Sequence, residues 1–172
     1  MNLHKYIRDI ADFPKKGILY KDITPLLSDA KAYNHLIDIF YKRYRNRRID
    51  KIIGIESRGF ILGSSLSSML KVGFIPIRKP NKLPFKKFSK SFELEYGKDQ
   101  IEIHIDAIKE NENVIIIDDV LATGGTIMAG IELVSEFNCN LIECAFLLEL
   151  QSLKGQERLH KKGITFFSVL KT

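Results

Sequence analysis

Hydrophobic positions along the chain switch repeatedly between two periods. Tyr33, Leu36, Ile37, Phe40 and Tyr44 recur three or four residues apart, the spacing of a single helix face, and Ser28 or Asp29 stands ahead of them as an N-cap. The pattern predicts a helix running to about Asn46. Lys51–Ile55 then reads as a strand, Phe60–Lys71 as a helix ended at Gly73, and Phe74–Arg78 as a short strand. Further on, Phe92, Leu94 and Tyr96 alternate with polar residues, as do Ile101, Ile103 and Ile105, with Gly97 between the runs. Segments Ser91–Tyr96 and Gln100–Ile105 therefore read as a β-hairpin with one wet face. Val114–Ile117 is an unbroken apolar run that suits a strand covered on both faces. Thr126–Phe137 reads as a helix, Leu141–Leu148 as a strand, Ser152–His160 as a short helix and Ile164–Leu170 as a last strand.

Strands that alternate with helices imply crossover connections, so the predicted class is α/β with a mostly parallel central sheet flanked by helices. No internal repeat or linker divides the chain, and residues 1–172 are expected to form a single domain. In an open sheet of this kind ligands bind beyond the carboxyl ends of the strands. The stretches after Ile55, Arg78, Ile117 and Leu148 are the places to search. The hairpin and the segment Asp12–Leu27 fall outside the alternation and are placed to cover such a site.

Composition narrows the classes. The chain has 172 residues, 45% of them apolar, and no apolar run near the roughly 18 residues of a membrane span. The opening segment, Met1–Phe13, lacks the apolar core of a signal peptide, which predicts no export. Cys139 and Cys144 make neither a disulfide framework nor a CxxC zinc pair, so a reducing, cytoplasmic setting is expected. His4, His35, His104 and His160 show no metal-ligand spacing, and Ser57, Ser64 and Ser65 form no GxSxG elbow.

The net charge of +6 is unevenly spread. Arg78, Lys79, Lys82, Lys86, Lys87 and Lys90 lie in one stretch without an acid, and they equal the whole excess of base. Pro80, Asn81 and Pro84 mark this stretch as irregular, and Lys86, Lys87 and Lys90 read as a solvated basic loop. A second run, Lys42–Arg48, is balanced by acids elsewhere. Basic patches suit nucleic acid, acidic lipid or a polyphosphate ligand, and composition does not choose among them.

The choice comes from Val114–Thr126, VIIIDDVLATGGT. A buried strand delivers Asp118 and Asp119 to its carboxyl end, and Ala122–Thr126 turns into a helix. Gly124 and Gly125 permit φ > 0 and bring backbone N–H groups close to a ligand. The helix N-terminus adds unpaired N–H donors and partial positive charge, which suit a phosphate. Thr123 and Thr126 add hydroxyls, and the two carboxylates can accept hydrogen bonds from a sugar diol. The group fits a ribose 5-phosphate. It is not a Walker A loop, since no Lys follows the glycines, and in Gly54–Gly59 the Lys position is taken by Phe60.

This segment resembles the phosphoribosyl-pyrophosphate motif of the type I phosphoribosyltransferases. Asp12–Pro25, Ile55–Phe60, Arg78–Pro84, Phe92–Gly97, Leu147–Leu150 and Ser152–Gly155 follow in an order that is similar to the adenine-using branch of that family over nearly the whole chain. The resemblance implies a central sheet with an N-terminal hood, about residues 1–27, and a flexible catalytic loop and hairpin, about residues 79–106, over the active site. It implies transfer of the phosphoribosyl group from phosphoribosyl pyrophosphate to adenine, giving AMP and pyrophosphate. Mg²⁺ would be held mainly by ligand oxygens and water, and the chain would be a homodimer.

Carried over residue by residue, the resemblance gives Asp118 and Asp119 the ribose hydroxyls. It gives Ala122, Thr123, Gly124, Gly125 and Thr126 the 5-phosphate. Arg58 takes pyrophosphate, and the Glu56-Ser57-Arg58 turn carries a non-proline cis peptide. Arg78, Lys79 and Lys82 lie near the pyrophosphate, partly across a subunit boundary. Glu95 is the catalytic acid/base. Tyr20 and Leu150 sandwich the purine while backbone groups of Leu19 and Lys21 read its edge. Family members commonly carry Phe and Arg where this chain has Tyr20 and Lys21. Two rival readings stand beside this one: a phosphoribosyltransferase for another purine base, and a non-catalytic regulator that senses phosphoribosyl pyrophosphate and binds nucleic acid. The run Lys42–Arg48 favours the regulator, but it sits where cations suit a helix C-terminus. The expectation is an enzyme of small molecules with no nucleic-acid or membrane partner.

Overall fold

A computed structural model describes residues 1–94 and 97–172. Its centre is a five-stranded parallel sheet of order β4-β3-β7-β8-β9, built from β3 (Lys51–Ile55), β4 (Gly73–Ile77), β7 (Asn113–Leu121), β8 (Asn140–Glu149) and β9 (Phe166–Lys171). The short helix α1 (Thr24–Ser28), α2 (Ala30–Tyr44) and α3 (Arg58–Leu70) pack on one face, around Ile52, Ile115 and Ile117. The other face, with Ile53, Val114 and Ile116, is covered by α4 (Gly125–Val134) and α5 (Gly155–Lys161) and by the hairpin β5 (Lys87–Leu94) with β6 (Gly97–His104). Neighbouring strand residues thus serve opposite cores, which is why β3 and β7 are apolar runs and not alternating ones. A two-stranded antiparallel ribbon, β1 (Arg8–Ala11) and β2 (Leu19–Asp22), stands apart from the sheet.

Local chemistry explains the helix ends. Asp29 takes an extended backbone and its Oδ1 accepts the Ala32 amide at 2.8 Å, so α2 starts at Ala30. The helix then buries Leu36, Ile37, Phe40 and Tyr44, each worth about 1.5–3 kcal/mol of apolar transfer for a large side chain. α3 begins earlier than the apolar pattern indicates, at Arg58. It lies close against the sheet because Gly59 and Gly63 carry no Cβ: a methyl group on Gly59 would stand 2.7 Å from the Ile117 carbonyl oxygen and 3.1 Å from Asp118 Oδ1.

One basic region differs from its sequence reading, and the other finds its balancing acids. Lys87 and Lys90 are not in a solvated loop: β5 starts at Lys87, and these side chains pair with Glu102 at 2.9 Å and Glu136 at 3.0 Å, while Lys86 is exposed. Phe88 meets Phe137 edge-on and Ile101 and Ile103 are fully buried, so the hairpin is longer than the alternation around Ser91–Tyr96 indicates. In the Lys42–Arg48 run, Arg43 clasps the buried Glu143 of β8 through Nε at 2.5 Å and Nη2 at 2.7 Å, and Tyr44 donates its hydroxyl to the same carboxylate at 2.6 Å. Arg43 also lies over the Phe167 ring, 4.1 Å from its centroid, and Lys42 pairs with Asp38 at 2.6 Å.

Candidate active site

The strand order reverses between β3 and β7: the chain moves to β4 on one side and to β8 and β9 on the other. A crevice at such a switch point is the standard ligand position of an open α/β sheet. Here it is a cleft of about 830 Å³ at the carboxyl ends of these strands, closed on one side by the β1–β2 ribbon. A second cavity, about 720 Å³ beside α5 and β9, is lined by Glu149 of the Leu147–Leu150 segment but by none of the candidate site residues.

Leu19, Tyr20, Lys21, Arg58, Lys79, Asp118, Asp119, Ala122, Thr126 and Leu150 all line the cleft. Thr123, Gly124 and Gly125 form the turn between Ala122 and Thr126, with Gly124 at φ 84° as the N-cap of α4. The turn is backed by Gly155, where a Cβ would collide with the Ala122 carbonyl oxygen, and by Arg158, whose Nη1 donates to the Thr123 carbonyl at 3.3 Å. Lys21 Nζ is paired with Asp9 at 2.8 Å, which leaves the Lys21 backbone as its contribution to the cleft. Glu95 lies outside the described residues.

Arg78 and Lys82 are not among the lining residues. Arg78 reaches Glu56 with Nε at 3.2 Å and Nη2 at 3.4 Å. Lys79 gives its backbone amide to Glu56 at 2.8 Å and its ammonium to Asp99 of the hairpin. Burial alone would raise the Glu56 carboxyl, but the Lys79 amide and the Arg78 guanidinium reverse that and hold it below the usual range. The peptide between Glu56 and Ser57 is cis. Glu56, Gly155 and Arg158 carry no sequence signal of a ligand role by themselves; only the quoted Ile55–Phe60 and Ser152–Gly155 segments point to their neighbourhoods.

The centre of the cleft is a charge cluster. Asp118 and Asp119 end up inside β7, which runs on to Leu121. Asp118 Oδ1 accepts the Asp119 amide at 2.9 Å. Burial, and then the neighbouring Asp119 charge, push the Asp118 carboxyl well above the ordinary range. Asp119 is 4% exposed and is also raised by burial, against the pull of Arg58. Arg58 Nε is 3.0 Å from Asp119 Oδ2, yet its N–H is not aimed at that oxygen, which accepts no hydrogen bond from any described residue. A buried carboxylate oxygen without a donor is costly, and a ligand hydroxyl is the donor that this position suits. Arg58 Nη1 donates to the Tyr20 hydroxyl at 2.8 Å.

Carboxylate oxygens, an amide-rich turn at a helix start and a guanidinium thus converge on one cleft, a layout whose chemistry suits a phosphorylated sugar. Residues 23–169 match the phosphoribosyl transferase domain family. The adenine phosphoribosyltransferase of Syntrophotalea carbinolica is 52% identical over 170 residues, which cover 99% of this chain and 98% of the relative. The crystal structure of the adenine phosphoribosyltransferase from Thermoanaerobacter pseudethanolicus superposes with a TM-score of 0.94 at 47% identity, covering 99% of this chain and 98% of that one. The Trypanosoma brucei adenine phosphoribosyl transferase, solved with AMP, pyrophosphate and ribose-5-phosphate, gives a TM-score of 0.90 at 29% identity, over 98% of this chain and 78% of that one. The chain belongs to the adenine phosphoribosyltransferase family.

Proposed function

We propose that the protein is a purine-salvage enzyme, which joins adenine to the phosphoribosyl group of phosphoribosyl pyrophosphate and releases AMP and pyrophosphate. The observation that carries this reading is the buried Asp119 Oδ2, which accepts no hydrogen bond from a described residue and lies in the cleft that Ala122 and Thr126 also line. Asp118 and Asp119 accept the ribose 2- and 3-hydroxyls, and the turn and the first residues of α4 hold the 5-phosphate through backbone N–H groups. Arg58 presents its guanidinium to the pyrophosphate. Tyr20 and Leu150 enclose the purine, and the backbone at Leu19 and Lys21 reads its edge.

As the glycosidic carbon loses pyrophosphate it gains cationic character, and the carboxylates below the ribose suit that charge. The purine nitrogen then bonds to the same carbon and its proton leaves. Glu95 moves that proton, a role worth about 10²–10⁴-fold in general acid–base catalysis. The hood, about residues 1–27, and the loop and hairpin, about residues 79–106, keep water away from the reacting carbon. Among the described residues no three His, Cys, Asp or Glu side chains cluster to cage a metal. The Asp118–Asp119 oxygens and the phosphates of the substrate are the hard donors that Mg²⁺ prefers, so these residues fit an ion held mostly by ligand and water. When bound, Mg²⁺ offsets the charge of the leaving pyrophosphate.

We read the enzyme as a cytoplasmic homodimer, with Arg78, Lys79 and Lys82 adding charge near the pyrophosphate, partly across the subunit boundary. Among the described residues no helix is long and apolar enough to cross a membrane. Incubation with each purine base, phosphoribosyl pyrophosphate and Mg²⁺ tests the reading: AMP is expected from adenine, and nucleotide formed from another base instead would replace it. Glu95→Ala should lower turnover by about 10²-fold or more, and a change of less than a few fold would remove Glu95 from the chemistry.

A further inference from the structure

Arg58 is held by two protein groups that come from separate parts of the fold. Its Nη1 donates to the Tyr20 hydroxyl of β2 at 2.8 Å, and its Nε lies 3.0 Å from Asp119 Oδ2 of β7. The guanidinium carbon is 5.4 Å from the centre of the Tyr20 ring. Tyr20 is itself braced by Phe13, edge-on at 5.1 Å. A guanidinium has five N–H donors in a fixed plane. Nε is ion-paired with Asp119 without a hydrogen bond and one Nη1 hydrogen is used on Tyr20, which leaves the second Nη1 hydrogen and both Nη2 hydrogens, and Nη2 has no hydrogen bond to a described residue. Both terminal nitrogens thus keep a donor, and a pair of such N–H groups can meet two oxygens of a phosphate.

We propose that the Tyr20 hydroxyl is a positioning group for pyrophosphate recognition: it fixes the rotation of Arg58 and so aims the free end of the guanidinium into the cleft. The proposal rests on the reading of Arg58 as the pyrophosphate ligand. Tyr20 then has two separable duties. Its ring serves the purine, and its hydroxyl serves the anion through Arg58. The base subsite and the pyrophosphate subsite share one side chain, so what orders the ring also orders the guanidinium.

Tyr20→Phe keeps the ring and deletes only the hydroxyl of a half-buried side chain, a change the fold should tolerate. Calorimetric titration with pyrophosphate and Mg²⁺ should show the dissociation constant weakened about tenfold, the lower range for losing a hydrogen bond to a charged group. In steady state the KM for phosphoribosyl pyrophosphate should rise by a similar factor while the KM for adenine stays within about twofold. In an Arg58→Ala background the same substitution should add nothing, because the hydroxyl acts through Arg58. Equal pyrophosphate binding by Tyr20→Phe and the parent would overturn the proposal, as would an undiminished loss in the Arg58→Ala background. If the parent protein itself binds no pyrophosphate, the assignment of Arg58 is what fails, and the proposal falls with it.

Discussion

Two clusters in this molecule use the same three side-chain types and reach opposite states. At Glu143 a buried carboxylate meets Arg43 and Tyr44, and both guanidinium donors and the hydroxyl point at it, at 2.5, 2.7 and 2.6 Å. Burial alone would raise this carboxyl, and the Arg43 and Tyr44 hydrogen bonds overcome that and hold it below the ordinary range. At Asp119 a buried carboxylate again meets an arginine, and the tyrosine, Tyr20, is present too. There the hydroxyl accepts from the arginine instead of donating to the acid, and one carboxylate oxygen, though ion-paired with the arginine, accepts no hydrogen bond from a described residue. The acid is pushed up, not down. A closed set of partners makes a structural clamp, and an incomplete set makes a receptor for the missing donor. The composition of the two clusters is nearly equal, and the direction of the hydrogen bonds separates them.

The contrast is open to direct attack. The largest effect is expected at Asp119→Asn: turnover should fall about 10²-fold or more if this group meets the reacting sugar as proposed, while the melting temperature holds or rises, because a buried, poorly paired charge is removed. A clear fall in melting temperature would show Asp119 to be a second clamp. Next comes Gly155→Ala, whose added methyl presses on the turn behind Ala122 and Gly124. The KM for phosphoribosyl pyrophosphate should rise about tenfold or more, as a small displacement of a positioning element can produce, with the KM for adenine little changed.

Glu143→Gln should do the reverse of Asp119→Asn. Stability should drop by about 3 kcal/mol, the lower range for breaking a buried pair, with turnover near that of the parent at moderate temperature. The pH dependence follows from the lowered carboxyl. The unfolded chain takes up the Glu143 proton at a higher pH than the folded one, so this stabilisation is complete above the unfolded value and is lost as pH falls through the folded one. The stability gap between parent and Glu143→Gln, read from urea titrations, should therefore narrow steadily below about pH 5. A constant gap would show that packing and not ionisation holds the cluster. The smallest effect belongs to Lys90→Ala, which removes a half-exposed pair with Glu136. Its melting temperature should move by about a degree or less, and less still at high salt.

Apolar patterning carried most of the fold. The unbroken runs at Lys51–Ile55 and Val114–Ile117 mark central strands because both of their faces are covered, and Tyr33–Tyr44 marks α2 because one face is. Boundaries slipped where polar residues do structural work. Asp118 and Asp119 look like the end of a strand, yet the ladder with β8 continues past them to Leu121. Lys87 and Lys90 look like loop residues because their partners, Glu102 and Glu136, are distant in sequence. The same limit applies at the site. The Ala122–Thr126 turn is local and legible, whereas the support that Gly155 and Arg158 give it depends on α5 folding back against the turn.

One missing methyl group has a reach out of proportion to its size. Gly59 lets the start of α3 touch the backbone of β7, with room for nothing larger than hydrogen between the helix and Ile117. Arg58 begins that helix, and Asp118 sits on that strand. The gap between cationic and anionic halves of the pocket is consequently a fixed dimension of the scaffold, while the ribbon carrying Tyr20 makes no ladder with the sheet. Redesign toward bulkier bases has latitude in that ribbon, and attempts to accommodate a different sugar meet a wall at residue 59.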